Sequence, residues 1–400
     1  MSSFGVSGTN AHLVLEEAEP EQTGPGPACG TTVPWVLSGR TEAALRAQAA
    51  RLLDHLDEHS GWSATEVGAA LARTRGTFEH RAVLLGADRA GFRAGLAALA
   101  AGEPRPGLVR GVARGDARVV FVLPERPAER ADRVLRLLDA SPLFAERLAA
   151  CDAALVEVAG WSATQVLRGS AGAPDPARSE VGRAVGWAVL VALAGWWRGH
   201  GVEPAAVVAP GGGAVAGACV AQALSLVEGA RAAVSGEPFD PSGAGVPLLT
   251  GDPDDAVRDL LERGHTRFVA LGPEPAARIT PGADRDVQVV GAPDEPLGGP
   301  AALLSAPDEL LAALAELHVH GGPADWSAVF PAAGLPIRCS GPWWNSPTTE
   351  VCCSPDGCRP ASCPGSPTTP CTGGCCFPAP RSSSWSAGRA PERAARRSTN

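Results

Sequence analysis

Short runs of β-branched and apolar residues alternate with longer stretches of helical periodicity from residue 34 to about residue 318. Strands that alternate with helices in this way are buried on both faces, and the arrangement that satisfies them is a mostly parallel sheet covered by helices. The strand-like runs are 34–37 (PWVL), 80–85 (HRAVLL), 118–123 (RVVFVL), 205–208 (AAVV), 266–271 (TRFVAL) and 287–290 (VQVV), with a further short run at 13–15. Helical periodicity is expected over 42–56, 63–73, 90–101, 128–139, 142–156, 181–198, 254–263 and 307–318. A small-residue helix is also expected to run from the glycines at 211–213 through Leu226. In the first helix Leu45, Ala49, Leu52, Leu53 and Leu56 fall on one face. Thr41 stands at its start, and Glu42 in the first turn suits the positive end of the helix dipole.

The pattern stops abruptly. Residues 339–400 contain eight of the 11 cysteines, ten of the 37 prolines and no Leu or Ile. So little apolar surface cannot offset the entropy of ordering a chain, and this segment is expected to be disordered. Its cysteines lack the paired C-x2-C spacing of a zinc ribbon, and no His follows His320, so no metal site is expected. The tail carries +3, which leaves −12 on residues 1–338, and the net −9 argues against electrostatic nucleic-acid binding. The longest apolar run, 184–197, is too short to span a bilayer, and no leader pattern opens the chain. A soluble cytoplasmic protein is the expectation.

Several segments resemble modular type I polyketide synthases, in family order. SSFGVSGTNAHLVLEE at 2–17 resembles the end of a ketosynthase domain. PWVLSGRTEAALRAQAARLLDHL through FEHRAVLLG resembles the ketosynthase-to-acyltransferase linker domain. RVVFVLP, SPLFAERLAACDAAL, GVEPAAVV and VAQALSLVEGAR resemble the first part of an acyltransferase domain, and GHTRFVALGPEP with AELHVHGGPADWSAVFP resembles its end. The resemblance implies a ketosynthase remnant at 1–18, a connection at 19–33 and a small α/β linker domain at 34–115. It implies a degenerate acyltransferase at 116–234 and 235–336, lacking the family's small ferredoxin-like subdomain, followed by the tail at 337–400. The fold class expected is therefore α/β, with an incomplete acyltransferase core.

The family transfers malonyl or methylmalonyl groups from coenzyme A to the phosphopantetheine of an acyl carrier protein, through a Ser in a G-H-S-x-G turn. Aligning VVAPGGGAVAGACVAQALSL on that turn puts Ala209 and Pro210 at Gly and His, and Gly211 at the nucleophile. Gly213 retains the final glycine. Glycine has no side-chain atom to acylate, so the resemblance implies an inactive chain with no intact catalytic residue and no resident cofactor. The family's P-G-Q-G oxyanion loop reads Pro124-Glu125-Arg126-Pro127 here, and a carboxylate has the wrong sign for stabilising an oxyanion. The jump from Val234 to Ser235-Gly236-Glu237-Pro238 omits the stretches that bear the family's catalytic His and carboxylate-binding Arg. His12 occupies the His of G-T-N-A-H, without the ketosynthase Cys upstream, and is vestigial; Cys29 cannot replace that Cys by position.

Two other readings stand beside this one. One is a role without chemistry, as a scaffold or docking piece for a carrier protein and neighbouring synthase domains. Gly211 and Gly213, with Ala216, also fit G-x-G-x-x-A, a dinucleotide pattern, although Glu228 lies inside a helix-like stretch rather than at the end of a second strand. Finally, Met1 stands where the family commonly has Val, which a GTG start codon explains. Residues from about 337 are expected to be an out-of-frame extension, since GC-rich back-translation of 371–385 in another frame resembles the start of a dehydratase domain.

Overall fold

The computed structural model describes residues 2–4, 10–12, 32–58, 61–114, 118–125, 131–272, 287–291, 306–330, 353–354 and 357–358. The chain divides into two units, Met1–Ala333 and Gly334–Asn400. Among the described residues the second contributes an antiparallel ladder, Cys353–Ser354 with Gly357–Cys358. The expected disorder of the tail and the run at 13–15 lie otherwise outside the described residues, as does Cys29.

The first unit opens with two short antiparallel strands, β1 (Ser2–Phe4) and β2 (Asn10–His12). A three-stranded antiparallel sheet follows, in the order β3 (Val33–Gly39), β4 (His80–Gly86), β5 (Leu108–Val112). Helices α1 (Glu42–Glu58), α2 (Ala64–Thr74) and α3 (Arg89–Ala101) lie between these strands in the chain. The expected first helix forms as read: the Thr41 hydroxyl accepts from the Ala44 amide, and Leu45, Ala49 and Leu56 are buried. Trp35 and Phe92 stack at 4.0 Å in the centre of this core. Strand β5 was not expected, because its sequence, LVRGV, carries Gly and Arg mid-strand and none of its residues is fully buried.

The second sheet has five parallel strands, in the order β10-β9-β6-β7-β8. They are β6 (Val119–Val122), β7 (Pro204–Val208), β8 (Leu248–Leu249), β9 (Arg267–Ala270) and β10 (Gln288–Gly291). The helices are α4 (Ala131–Ala140), α5 (Pro142–Ala159), α6 (Ala163–Leu167), α7 (Ser179–Gly199), α8 (Ala214–Val220), α9 (Leu226–Ser235), α10 (Pro253–Glu262) and α11 (Ala306–Val319). Successive side chains of β6 serve opposite faces, as strand geometry requires. Val119 and Phe121 join the large core containing α5, α7 and α11, and Val120 and Val122 join the core against α10. The apolar run at 184–197 is explained by burial: α7 is apolar nearly all round because α5, α8 and α9 surround it. Among the described residues no helix is long and apolar enough to cross a membrane.

One expected element is corrected. The helix that was to reach Leu226 ends at Val220, Gln222 takes a positive φ of 64°, and α9 starts anew. The cause is local chemistry. The Ser225 hydroxyl accepts from the Glu228 amide, and the Glu228 carboxylate accepts from the Ser225 amide, a reciprocal cap that fixes a helix start. Helix α6 and the two-residue β8 are each too short to show a period.

Alternation along β4 ties the two sheets together. Ala82 and Leu84 belong to the core that holds Trp35, whereas Val83 faces the large core with α11. Beyond α11 the chain crosses back. The Asp325 amide donates to the His200 carbonyl at the end of α7, and Phe330 is buried among Val33, Leu45 and Leu71.

Candidate functional site

The elbow is built where parallel strands end. The Leu123 amide donates to the Val208 carbonyl at 2.8 Å, the Ala209 amide to Leu249 at 2.8 Å and the Leu271 amide to Val122 at 2.9 Å. These bonds bring the ends of β6, β7 and β9 side by side. The chain enters β9 from β8 on the far side of β6, so its connections diverge here. In open α/β sheets ligands settle at such a crevice.

Pro210 is extended, Gly211 has a positive φ of 50°, and Gly211–Gly213 form one 3-10 turn that leads into α8. A strand, a residue with positive φ and then a helix is the sharp turn that displays a nucleophile in acyl-transferring α/β enzymes. Gly211 and Gly212 are exposed, and Gly213 is buried. Two glycines are enforced by space. A Cβ at Gly213 would lie 2.5 Å from the Pro124 carbonyl, and a Cβ at Gly217 would collide with Ala209, just after β7. Gly211, which the sequence reading sets at the nucleophile position, thus lies on a sharp strand-to-helix turn and carries no side chain.

The loop after β6 closes over the turn. The Gly212 amide donates to the Glu125 carbonyl at 2.8 Å. A Cβ at Gly211 would stand 2.8 Å from Glu125 Cγ and 3.3 Å from its carbonyl oxygen. On the other side Pro124 meets Gly272, which follows β9. Nothing in the sequence pattern disclosed the contact between Glu125 and Gly211, because it joins loops 86 residues apart.

The described cysteines offer no nucleophile here. Burial pushes the Cys151 thiol up to about 12 and the Cys219 thiol to about 11. Both stay protonated at neutral pH and are inert. Cys219 accepts the Trp187 indole N–H at 3.4 Å and donates to the Ser225 carbonyl. His200 precedes β7, His265 precedes β9, and the His320 carbonyl accepts from Arg267, the first residue of β9. Their backbone positions lie at the end of the sheet where its strands begin, opposite the elbow. His12 lies in β2, paired with Ser2. Glu228, which the dinucleotide pattern would want at a strand end, is held in the α9 cap, so that pattern lacks its acid. No group of three His, Cys, Asp or Glu able to hold a metal occurs among the described residues.

Comparison with known proteins gives two family matches. Residues 1–85 match the ketoacyl-synthetase C-terminal extension, and residues 120–237 match the acyl transferase domain. The spectinabilin polyketide synthase system protein NorA' of Streptomyces orinoci is 43% identical over 288 residues, covering 72% of this chain and 8% of that protein. Polyketide synthase GfsE of Streptomyces halstedii is 48% identical over 252 residues, 58% of this chain and 6% of that protein. NorA, from the same organism as NorA', is 31% identical over 468 positions, covering 84% of this chain and 24% of that protein. That alignment is longer than this entire 400-residue chain, so the relative contains residues with no counterpart here. The chain thus spans a quarter or less of the length of these relatives. Among solved structures, the acyltransferase domain from module 8 of the salinomycin polyketide synthase superposes with a TM-score of 0.61 at 29% identity, covering 74% of this chain and 98% of that one. The acyltransferase domain of ZmaA gives 0.61 at 13% identity, covering 76% and 97%, a likeness of fold.

Proposed function

The chain belongs with the polyketide synthases, carrying a ketoacyl-synthetase C-terminal extension and an acyl transferase domain, and on that premise we propose that it keeps the acyl-transfer frame without the chemistry. The family reaction moves a malonyl or methylmalonyl group from a coenzyme A thioester to a carrier protein, through an ester on an elbow serine. That step needs an oxygen to attack the thioester carbonyl, a base to take its proton and amide donors for the oxyanion. Here the elbow position is Gly211, with no oxygen. That single observation carries the reading. The protonated thiols of Cys151 and Cys219 and the placement of these histidines where strands begin support it.

The role that fits is a scaffold within a synthase module, contacting a carrier protein and neighbouring domains. Two observations favour it: the packed core around Trp35 and Phe92 is complete, and β4 welds it to the acyltransferase sheet. The division into a linker domain at 34–115 and acyltransferase parts at 116–234 and 235–336 belongs to this reading. So does the omission of the small subdomain, since only residues 236–247 join α9 to β8.

The test is labelling of the purified chain with radioactive malonyl-CoA and methylmalonyl-CoA, beside an active acyltransferase domain as positive control. No label on this chain is the expected result. A labelled peptide that contains residues 205–220 would defeat the proposal. Retention of a carrier protein without acylation supports the scaffold role.

A further inference from the structure

We propose that the Pro124-Glu125 loop is an intramolecular plug, which keeps the elbow shut independently of which residue stands at position 211. The inference rests on reading Gly211 as the nucleophile position. It adds that restoring a side chain there does not restore an open site.

Three contacts from one loop converge on the turn. The Glu125 carbonyl takes the Gly212 amide at 2.8 Å. In elbow enzymes the amide after the nucleophile is an oxyanion donor, so this bond spends a donor that the reaction needs. The Glu125 Cγ occupies the direction in which a side chain at 211 would project, 2.8 Å from its Cβ. The Pro124 carbonyl sits against Gly213, 2.5 Å from where its Cβ would be, so the loop and the turn fit only while Gly213 is glycine. The Glu125 carboxylate lies close by, with Oε1 3.7 Å from the same Cβ site at 211. Its negative charge opposes both an oxyanion and a thiolate or alkoxide at that position. The exposure of Gly211 is thus exposure of its backbone, not of the space a side chain would fill.

A cysteine at 211 reports this directly, because it needs no base to be alkylated. The full chain bearing Gly211→Cys is compared with Gly211→Cys/Glu125→Ala and Gly211→Cys/Glu125→Gln. Alkylation by iodoacetamide is followed at residue 211 by fragment-ion mass spectrometry, which separates it from Cys219 on the same peptide between Arg198 and Arg231. The Ala variant is expected to react faster by on the order of tenfold, through more space and a more ionised thiol. The Gln variant, which keeps the bulk and loses the charge, is expected to fall between. Equal rates in all three overturn the plug. If the Cys variants do not fold, hydrogen exchange on the unaltered chain decides: a protected Gly212 amide supports the plug, and exchange at the rate of an unstructured glycine overturns it. Malonyl labelling of the unaltered chain would defeat the inactive reading instead, so the two failures are distinguishable.

Discussion

At the scale of single residues, the most consequential positions are those where a side chain is absent or unable to ionise. Gly211 is the first kind, and its test is the labelling experiment above. His318 is the second. It is buried against the edge of Trp326, its carbonyl accepts from Arg81, and burial pushes its pKa from 6.5 to about 3, with the Arg81 charge adding to the effect. A histidine depressed in the folded state stays neutral there while the unfolded chain gains a proton as pH drops below about 6.5. Stability is therefore lost as pH falls between about 6.5 and about 3, at up to about 1.4 kcal/mol per pH unit. His200, also lowered by desolvation, acts in the same direction. Urea unfolding midpoints measured from pH 7.5 to pH 4.5 should decline, and His318→Gln should flatten that decline. An unchanged slope in the variant would remove His318 as its source.

At the scale of elements, caps decide where helices begin. Ser225→Ala removes the hydroxyl that accepts from the Glu228 amide and should cost about 1 kcal/mol, read as a lower thermal midpoint. Gly217→Ala should cost more, about 1–3 kcal/mol, since its methyl meets Ala209, the residue after β7, across a tight contact. A measured effect below a few tenths of a kcal/mol would mean that this packing yields. The same scale explains what could be read from the sequence. Strands β6 and β9 were legible because a fully buried strand must be a continuous apolar run, as VVF and FVA are. Strand β5 was not, because its place is set by pairing with β4 rather than by its own residues. The end of α8 at Val220 was obscured by a run of small residues that suits a helix as well on either side. Of the site, the turn and its missing side chain were visible at 209–213. The plug was not, for no local pattern announces that Glu125 will meet Gly211.

At the scale of the whole molecule, the last described stretch of the first unit is what holds its two sheets. Helix α11 covers β4 and β5 as well as packing on α4 and β10. Arg267, buried at the start of β9, donates to the carbonyls of Arg114 and His320 at 2.9 and 2.8 Å, joining three distant segments. Phe330, 5% exposed, fills the first core against Gly68. Phe330→Ala should destabilise by about 3–5 kcal/mol. Calorimetry should then show the antiparallel and parallel sheets melting together at the lower temperature. Two separated transitions would mean that the sheets are coupled less tightly than their shared contacts imply. The shared strand also bears on where the gene can be cut. One family match stops at residue 85, inside β4, and the next begins at residue 120, after β5 has already been laid down. Either border, used as an expression boundary, would strip a sheet of its neighbour and leave greasy surface in water. Recombinant pieces should therefore run from before residue 33 to beyond residue 330, whatever the homology borders suggest.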